Sequence, residues 1–329
     1  MYNIGFSITK NIDKYKYLIN HLFENNLKLK KKVRCLFLPT DNDIKVNIKK
    51  LDVLVTYTIN KNYFEHKHNN LKWIHLGNAG VDNSLFEEVI NSKTIITNSR
   101  GINAIPVSEY VLSTILFLSK NLSDCLDFKS DKKWTQWAIA KKNNTLVNQT
   151  IGIIGYGAIG KSIAKKAKAF DMNVIAIKRL QKKKESKLYV NELLPINHLD
   201  YLLSNSKYIV VACPLTPKTK NMINEKNIKL ISKESYIINI SRGGIINENT
   251  LIKQLKNKHI KGAVLDVFKN EPLDVNSILF NLNNTFLSPH IAGNFKEYQA
   301  KVIESFRENL YKFIDGKRLK NRVCKKRLY

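Results

Sequence analysis

A short apolar run, Ile151 to Ile154, leads directly into Gly155, Gly157 and Gly160 at G-x-G-x-x-G spacing, and this passage constrains the fold more than any other. A helical pattern follows, with Ile163, Ala164, Ala167 and Phe170 on one face, and then a second apolar run, Val174 to Ile177. Strand, amphipathic helix and strand in roughly 30 residues form a βαβ unit, which requires a parallel sheet. Each glycine has its own reason: a tight turn, backbone approach to a pyrophosphate, and close packing of helix on strand. Amides at the start of the helix hold the anion. Alone, the glycine pattern also fits a turn of purely structural use; between strand and helix it points to a dinucleotide.

The end of the second strand bears on which dinucleotide. An acidic residue there accepts hydrogen bonds from the adenosine ribose in NAD-type folds, about 20 residues beyond the motif. Lys178 and Arg179 hold that place here. They attract a 2′-phosphate that a carboxylate repels, so NADP is expected, with NAD as the alternative. Lysine fills 47 of 329 positions, so Lys178 alone carries little weight; Arg179 is one of only eight arginines.

A chain of 329 residues suffices for two domains with separate cores. Its net charge of +28 raises nucleic acid and anionic membranes as partners. The basic residues, however, are scattered along the whole length. With 47 lysines and 39 asparagines against eight arginines, the usage resembles an AT-rich genome more than a selected binding face. No specific nucleic-acid partner is expected. Cys35, Cys125, Cys213 and Cys324 are far apart, without paired or metal-like spacing, which fits a reduced compartment. Glu65-His66-Lys67-His68 sits in a polar, Asn-rich stretch and reads as a surface loop, so no metal is expected. The N-terminus lacks the apolar core of a signal peptide, and Val111 to Leu118 is too short to span a bilayer. A cytoplasmic protein without membrane contact is expected.

Ahead of the nucleotide motif, strands are expected at Ile4–Ile8, Val33–Leu38, Val53–Tyr57, Trp73–Leu76 and Thr94–Thr97, with a helix at Asp82–Ile90. Strands alternating with helices imply a parallel sheet covered on both faces. A greasy helix from Ala104 to Ser119 suggests burial between domains or subunits. The stretch from Asn121 to Asn148, with Trp134 and Trp137, reads as an extended arm. A lysine-rich loop follows the second strand, then a helix at Leu199–Ser204 and a strand at Tyr208–Ala212. Further strands are expected at Tyr236–Ile240, Ala263–Val267 and Thr285–Leu287, with helices at Glu248–Lys256 and Lys296–Asp315.

Three strand ends carry chemistry: Arg242 after one, Asp266 and Glu271 around the next, His290 after the last. Carboxyl ends of parallel strands are where sites assemble in open α/β sheets. The planar fork of arginine suits a carboxylate, and the glycines after Arg242 leave room for a small substrate. Histidine exchanges protons near neutrality, and a carboxylate beside it orients the ring. Singly, each has a blander reading as surface loop, ion pair or turn; together they suggest hydride transfer to an anionic carbonyl substrate.

With Gly155–Gly160, the segments 239–247 (NISRGGIIN), 262–273 (GAVLDVFKNEPL) and 288–293 (SPHIAG) resemble the D-isomer-specific 2-hydroxyacid dehydrogenase family. Segments 76–83 and 99–112 resemble the family's substrate loop and interdomain helix, so the likeness covers nearly the whole chain. It implies a Rossmann-type doubly wound parallel sheet, 101–289, nested in a smaller flavodoxin-like α/β domain made of 1–100 and 290–329, with a cleft that closes on substrate. It also assigns roles. Arg242 binds the substrate carboxylate and carbonyl, His290 is the acid/base, and Glu271 pairs with it. Amides around Asn78, Ala79 and Gly80 hold the carboxylate, and Ala158 and Ile159 contact the pyrophosphate. Cys213, Pro214 and Thr219 line the cofactor, Ile240, Ser241 and Arg242 meet the nicotinamide side, and Asp266 takes its carboxamide.

The resulting expectation is an NADP-dependent reductase of small 2-keto acids such as glyoxylate or hydroxypyruvate, assembled as a homodimer through the nucleotide domain. The alternatives are a 3-phosphoglycerate dehydrogenase and a nucleotide-sensing, non-enzymatic protein of the same fold.

Overall fold

The computed structural model describes residues 1–24, 26–64 and 70–328, so the Glu65–His68 stretch lies outside the described residues. Two compact units emerge, Met1–Ile102 with Phe295–Tyr329, and Asn103–Asn294. The second boundary falls after residue 294 rather than 289. Ile291 and Ala292 donate their amides to the buried Asp266, which ties the His290 loop to the second unit.

In the first unit, β1 (Tyr2–Ser7), β2 (Val33–Phe37), β3 (Val53–Thr56), β4 (Trp73–Leu76) and β5 (Ile95–Asn98) form one parallel sheet in the order β2-β1-β3-β4-β5. This is the flavodoxin-like order. Every residue of β3 and β4 is buried, as an apolar strand covered on both faces requires. Side chains start the helices: Asn11 accepts the Asp13 and Lys14 amides, and Thr40 with Asp43 forms a capping box. The last helix, Tyr298–Ile314, returns to this sheet, where Phe306 stacks on Trp73 at 5.0 Å. The helix expected over Asp82–Ile90 is instead a 3₁₀ turn, Asp82–Ser84, and a short helix, Glu87–Asn91; Phe86 between them is extended.

The second unit contains β6 (Thr150–Ile154), β7 (Asn173–Ile177), β8 (Glu185–Lys187), β9 (Val190–Leu194), β10 (Tyr208–Val211), β11 (Tyr236–Asn239), β12 (Gly262–Leu265) and β13 (Thr285–Leu287). Their order is β13-β12-β11-β10-β6-β7-β9-β8, parallel except for the β8–β9 pair. The chain runs outward from β6 through β7 and β9, then resumes on the other side at β10. The crevice between β6 and β10 is therefore the topological switch point, where doubly wound sheets bind ligands.

The helix Ala158–Lys168 buries Ile163, Ala164 and Ala167 as its pattern predicts, but it stops before Phe170, which is exposed in the following turn. Asp171 completes that turn at positive φ. The helix Ala104–Ser119 buries Val107, Val111 and Ile115 in the same core and meets Ala158–Lys168 through Ser108 Oγ and Ser162 Oγ, 2.8 Å apart. The lysine-rich loop proves to hold the β8–β9 hairpin; β8 is only three polar residues, Glu185-Ser186-Lys187, so no apolar run marks it. Between 121 and 148 lie two helices, Leu122–Asp131 and Gln136–Ala140, with no buried side chain. Trp134, between the two helices, is 78% exposed, and Trp137, in the second, is 70% exposed. Among the described residues, no helix is long and apolar enough to cross a membrane.

Candidate active site

At the end of β6 the three glycines differ in what surrounds them. Gly155 has φ +110, and a Cβ there would stand 2.7 Å from the Ala212 carbonyl oxygen. At Gly160 a Cβ would stand 2.1 Å from the Gly155 carbonyl oxygen, so the helix packs directly on the turn. Gly157 has nothing within 4 Å of that position. It precedes the helix, which begins at Ala158 and Ile159 without a side-chain cap, leaving its first amides for an anion. Two glycines are thus required by packing, and the third opens onto space. This pattern fits a dinucleotide's pyrophosphate.

Lys178 and Arg179 follow β7 immediately. Lys178 is partly buried, with its amide bonded to the Leu194 carbonyl, and Arg179 is exposed. On the other side of the crevice, β10 leads through Ala212 into Cys213 and Pro214. The Cys213 thiol is pushed up to about 12 by burial, which keeps it protonated and inert. Thr219 uses its hydroxyl within the turn, accepting the Thr216 amide at 2.8 Å and donating to the Pro214 carbonyl at 2.7 Å. Ser241 Oγ donates to the Cys213 carbonyl and thereby joins the β10 and β11 ends.

After β11 come buried Ile240, then Ser241 and Arg242. Asn239 fixes this turn, accepting the Ser241 amide at 3.2 Å and donating to the Arg242 carbonyl at 3.0 Å. Arg242 Nη1 donates to the Ser241 carbonyl at 2.8 Å. The following glycine does not provide open room, as its composition suggests. A Cβ on Gly243 would stand 2.0 Å from the Phe268 carbonyl carbon. Absence of a side chain instead lets the Arg242 turn lie against the backbone after β12.

That backbone carries Asp266 and Glu271. Glu271 Oε1 accepts the Phe268 amide at 3.0 Å, and Oε2 lies 2.7 Å from His290 Nδ1. A carboxylate only accepts, so Nδ1 carries the hydrogen and Nε2 remains for exchange. Both side chains are substantially exposed, 47% for His290 and 36% for Glu271. Asp266, by contrast, is buried, and its carboxylate holds the loop around His290. Oδ1 accepts Ser288 Oγ at 2.6 Å and the Ile291 amide at 2.8 Å; Oδ2 accepts the Ala292 amide at 3.0 Å. His290 itself has φ +55. A histidine in this region costs backbone energy and persists where its surroundings enforce it.

In the first unit, Asn78, Ala79 and Gly80 follow β4. Tyr298 Oη donates to the Gly77 carbonyl at 2.7 Å, the Ser99 amide to the Asn78 carbonyl at 3.1 Å, and Asn98 Nδ2 to the Ala79 carbonyl at 2.6 Å. The loop is thus anchored through its carbonyls. Among the described residues, the amides of Asn78, Ala79 and Gly80 have no acceptor. Beneath the loop, His75 is fully buried between Thr97 Oγ1 (2.8 Å from Nδ1) and Ser99 Oγ (3.1 Å from Nε2), and burial lowers its pKa to about 3.

A family model described as "D-isomer specific 2-hydroxyacid dehydrogenase, NAD binding domain" matches residues 112–292. The chain belongs to this family. A glyoxylate reductase of Thermococcus litoralis is 32% identical over 287 residues, 84% of this chain and 85% of that protein. A D-3-phosphoglycerate dehydrogenase of Methanocaldococcus jannaschii is 31% identical over 86% of this chain and 54% of its own length. Among solved structures, a D-isomer specific 2-hydroxyacid dehydrogenase family protein from Aeromonas salmonicida superposes with a TM-score of 0.85 at 25% identity, covering 98% of this chain and 99% of that one. This 2-hydroxyacid dehydrogenase is therefore an NAD(P)-dependent oxidoreductase. Sequence reasoning missed the anchoring of the histidine loop. Its one local signal was Ser288, a hydroxyl two residues before His290.

Proposed function

We propose that the enzyme reduces small 2-keto acids of the glyoxylate and hydroxypyruvate class, taking NADPH in preference to NADH. The observation that carries the reading is the His290–Glu271 pair, at the carboxyl ends of neighbouring strands that also present Arg242. Glyoxylate reductases among the 32%-identical relatives support the substrate class. Lys178 and Arg179 support the cofactor choice, because both favour a 2′-phosphate.

When bound, the reduced nicotinamide supplies a hydride to the carbonyl carbon of the keto acid. The protein's own residues do the rest. Arg242 binds the carboxylate and carbonyl through its fork. His290 gives the proton on Nε2 to the carbonyl oxygen, so the C=O bond becomes C–H and O–H and the product is a 2-hydroxy acid. Glu271 holds the ring through Nδ1, which fixes its tautomer and orientation. The amides of Asn78, Ala79 and Gly80 take a carboxylate-binding role of the same kind. Ala158, Ile159 and the glycines hold the pyrophosphate. Ile240 and Ser241, with Cys213 and Pro214, line the cofactor crevice. We also infer that the Trp134/Trp137 arm is the face through which two copies form a dimer in the cytoplasm.

A panel of 2-keto acids offered with NADPH and with NADH, followed by cofactor absorbance, tests the reading. Turnover of glyoxylate or hydroxypyruvate with higher kcat/KM for NADPH is expected. Cofactor binding without turnover of any 2-keto acid would support the nucleotide-sensing alternative.

A further inference from the structure

We propose that Tyr110, far from the glycine motif in sequence, is a positioning residue for the proton-transfer step; this rests on the reading of His290 as proton donor. Tyr110 lies on the helix Ala104–Ser119, and its Oη is 2.5 Å from Ser288 Oγ. Distance alone leaves open which hydroxyl donates, but the next link decides it. Ser288 Oγ lies 2.6 Å from Asp266 Oδ1, which also accepts the Ile291 amide. A carboxylate in that setting can only accept, so the single serine hydrogen goes to Asp266. Ser288 Oγ must then accept, and Tyr110 donates. Burial pushes the phenol's pKa up, which keeps that hydrogen in place.

The chain Tyr110 to Ser288 to Asp266 thus runs one way and ends on the carboxylate that grips both sides of His290. Ser288 precedes the histidine by two residues; Ile291 and Ala292 follow it. Between these anchors His290 sits at φ +55, and its own amide bonds the Ser288 carbonyl at 3.0 Å. A backbone in this region relaxes when its restraints weaken. The same helix touches the cofactor-binding helix through Ser108 and Ser162. One rigid element therefore braces the histidine loop while contacting the helix that carries the pyrophosphate amides. Hydrogen bonds in series polarise one another, so removing the first donor weakens the grip at the last.

The test is Tyr110→Phe in the full-length enzyme, with His290→Ala as the control. Loss of one neutral hydrogen bond should lower kcat about three- to tenfold. The KM for NADPH should stay within twofold, and the solvent deuterium isotope effect on kcat should rise as proton transfer becomes more limiting. A purely structural role would reduce the active fraction and leave the isotope effect unchanged. In a Ser288→Ala background, Tyr110→Phe should have no further effect, because its path runs through that serine. A kcat loss below twofold, an unchanged isotope effect, or independent losses that multiply in the double variant would each overturn the proposal. Should Tyr110→Phe fail to fold, Ser288→Ala is judged by the same kcat and isotope criteria. If His290→Ala retains turnover, the proton-donor reading itself fails; if it abolishes turnover while Tyr110→Phe is silent, only the positioning proposal fails.

Discussion

His290 Nδ1 and Glu271 Oε2 meet at 2.7 Å although they lie 19 residues apart, on loops that leave β12 and β13. Both groups face solvent, so the pairing does not follow from burial. It follows from two adjacent parallel strands ending at the same level, with Glu271 pinned by the Phe268 amide and the histidine loop pinned by Asp266.

Removing the imidazole should therefore be costly. His290→Ala is expected to lower kcat by about 10²–10⁴-fold, the usual contribution of a positioned general acid. Glu271→Gln keeps the shape but removes the charge; a lost charge-assisted hydrogen bond of about 1.5–3 kcal/mol corresponds to about 10–150-fold in kcat. Steady-state kinetics with saturating NADPH checks both, and near-wild-type kcat in Glu271→Gln would exclude a catalytic pairing.

Arg242→Ala should raise the KM for the keto acid sharply and leave NADPH affinity nearly intact. Arg242→Lys should recover little, because a point charge does not replace a planar fork. Cofactor titration by fluorescence, beside substrate kinetics, separates the two effects. A large loss of NADPH affinity in Arg242→Ala would place the residue on the cofactor instead.

Cofactor choice hangs on Lys178 and Arg179. Charge-assisted contacts to a 2′-phosphate, at about 1.5–3 kcal/mol each, correspond to a preference of about tenfold or more for NADPH. Lys178→Asp should reverse it. Equal or better kcat/KM with NADH in the unaltered enzyme would reduce Lys178 to one lysine among 47.

His75 predicts acid sensitivity. Its folded pKa is depressed to about 3, while an unfolded histidine titrates near about 6.5. The unfolded chain therefore takes up a proton first as pH falls. The stability due to the neutral buried ring is complete above the unfolded value and declines below it, by about 2 kcal/mol at pH 5. Urea unfolding at pH 7.5 and 5 should show this loss, and His75→Asn, which does not titrate, should show less. An equal pH dependence in the two proteins would rule out His75 as its source.

The exposed arm leads to a prediction about assembly. Light scattering at micromolar protein should give twice the 37.9 kDa chain mass. Trp134→Glu with Trp137→Glu should shift it to the single-chain mass, since charges disfavour a desolvated apolar contact. A monomer in the unaltered protein would leave the arm's exposure without this explanation.

What the sequence determined by itself was local and periodic. The glycines between an apolar run and an amphipathic helix specified strand, turn and helix, because each position has a short-range steric requirement. Arg242, Glu271 and His290 were legible as strand-end chemistry because runs such as Tyr236–Asn239 and Gly262–Leu265 are apolar enough to mark buried parallel strands. Tertiary structure alone decided the rest. It converted Gly243 from apparent open space into the close approach of two backbones. It also turned Asp266 inward onto Ser288, Ile291 and Ala292, giving it a loop-anchoring role that no spacing encodes. The β8–β9 hairpin is illegible in the sequence because β8 is three polar residues and β9 only five, too short for a periodic signal, and pairing of β9 with β7 defines it. Periodicity reports which face a residue takes; which buried group meets which backbone amide depends on how strands distant in sequence end side by side.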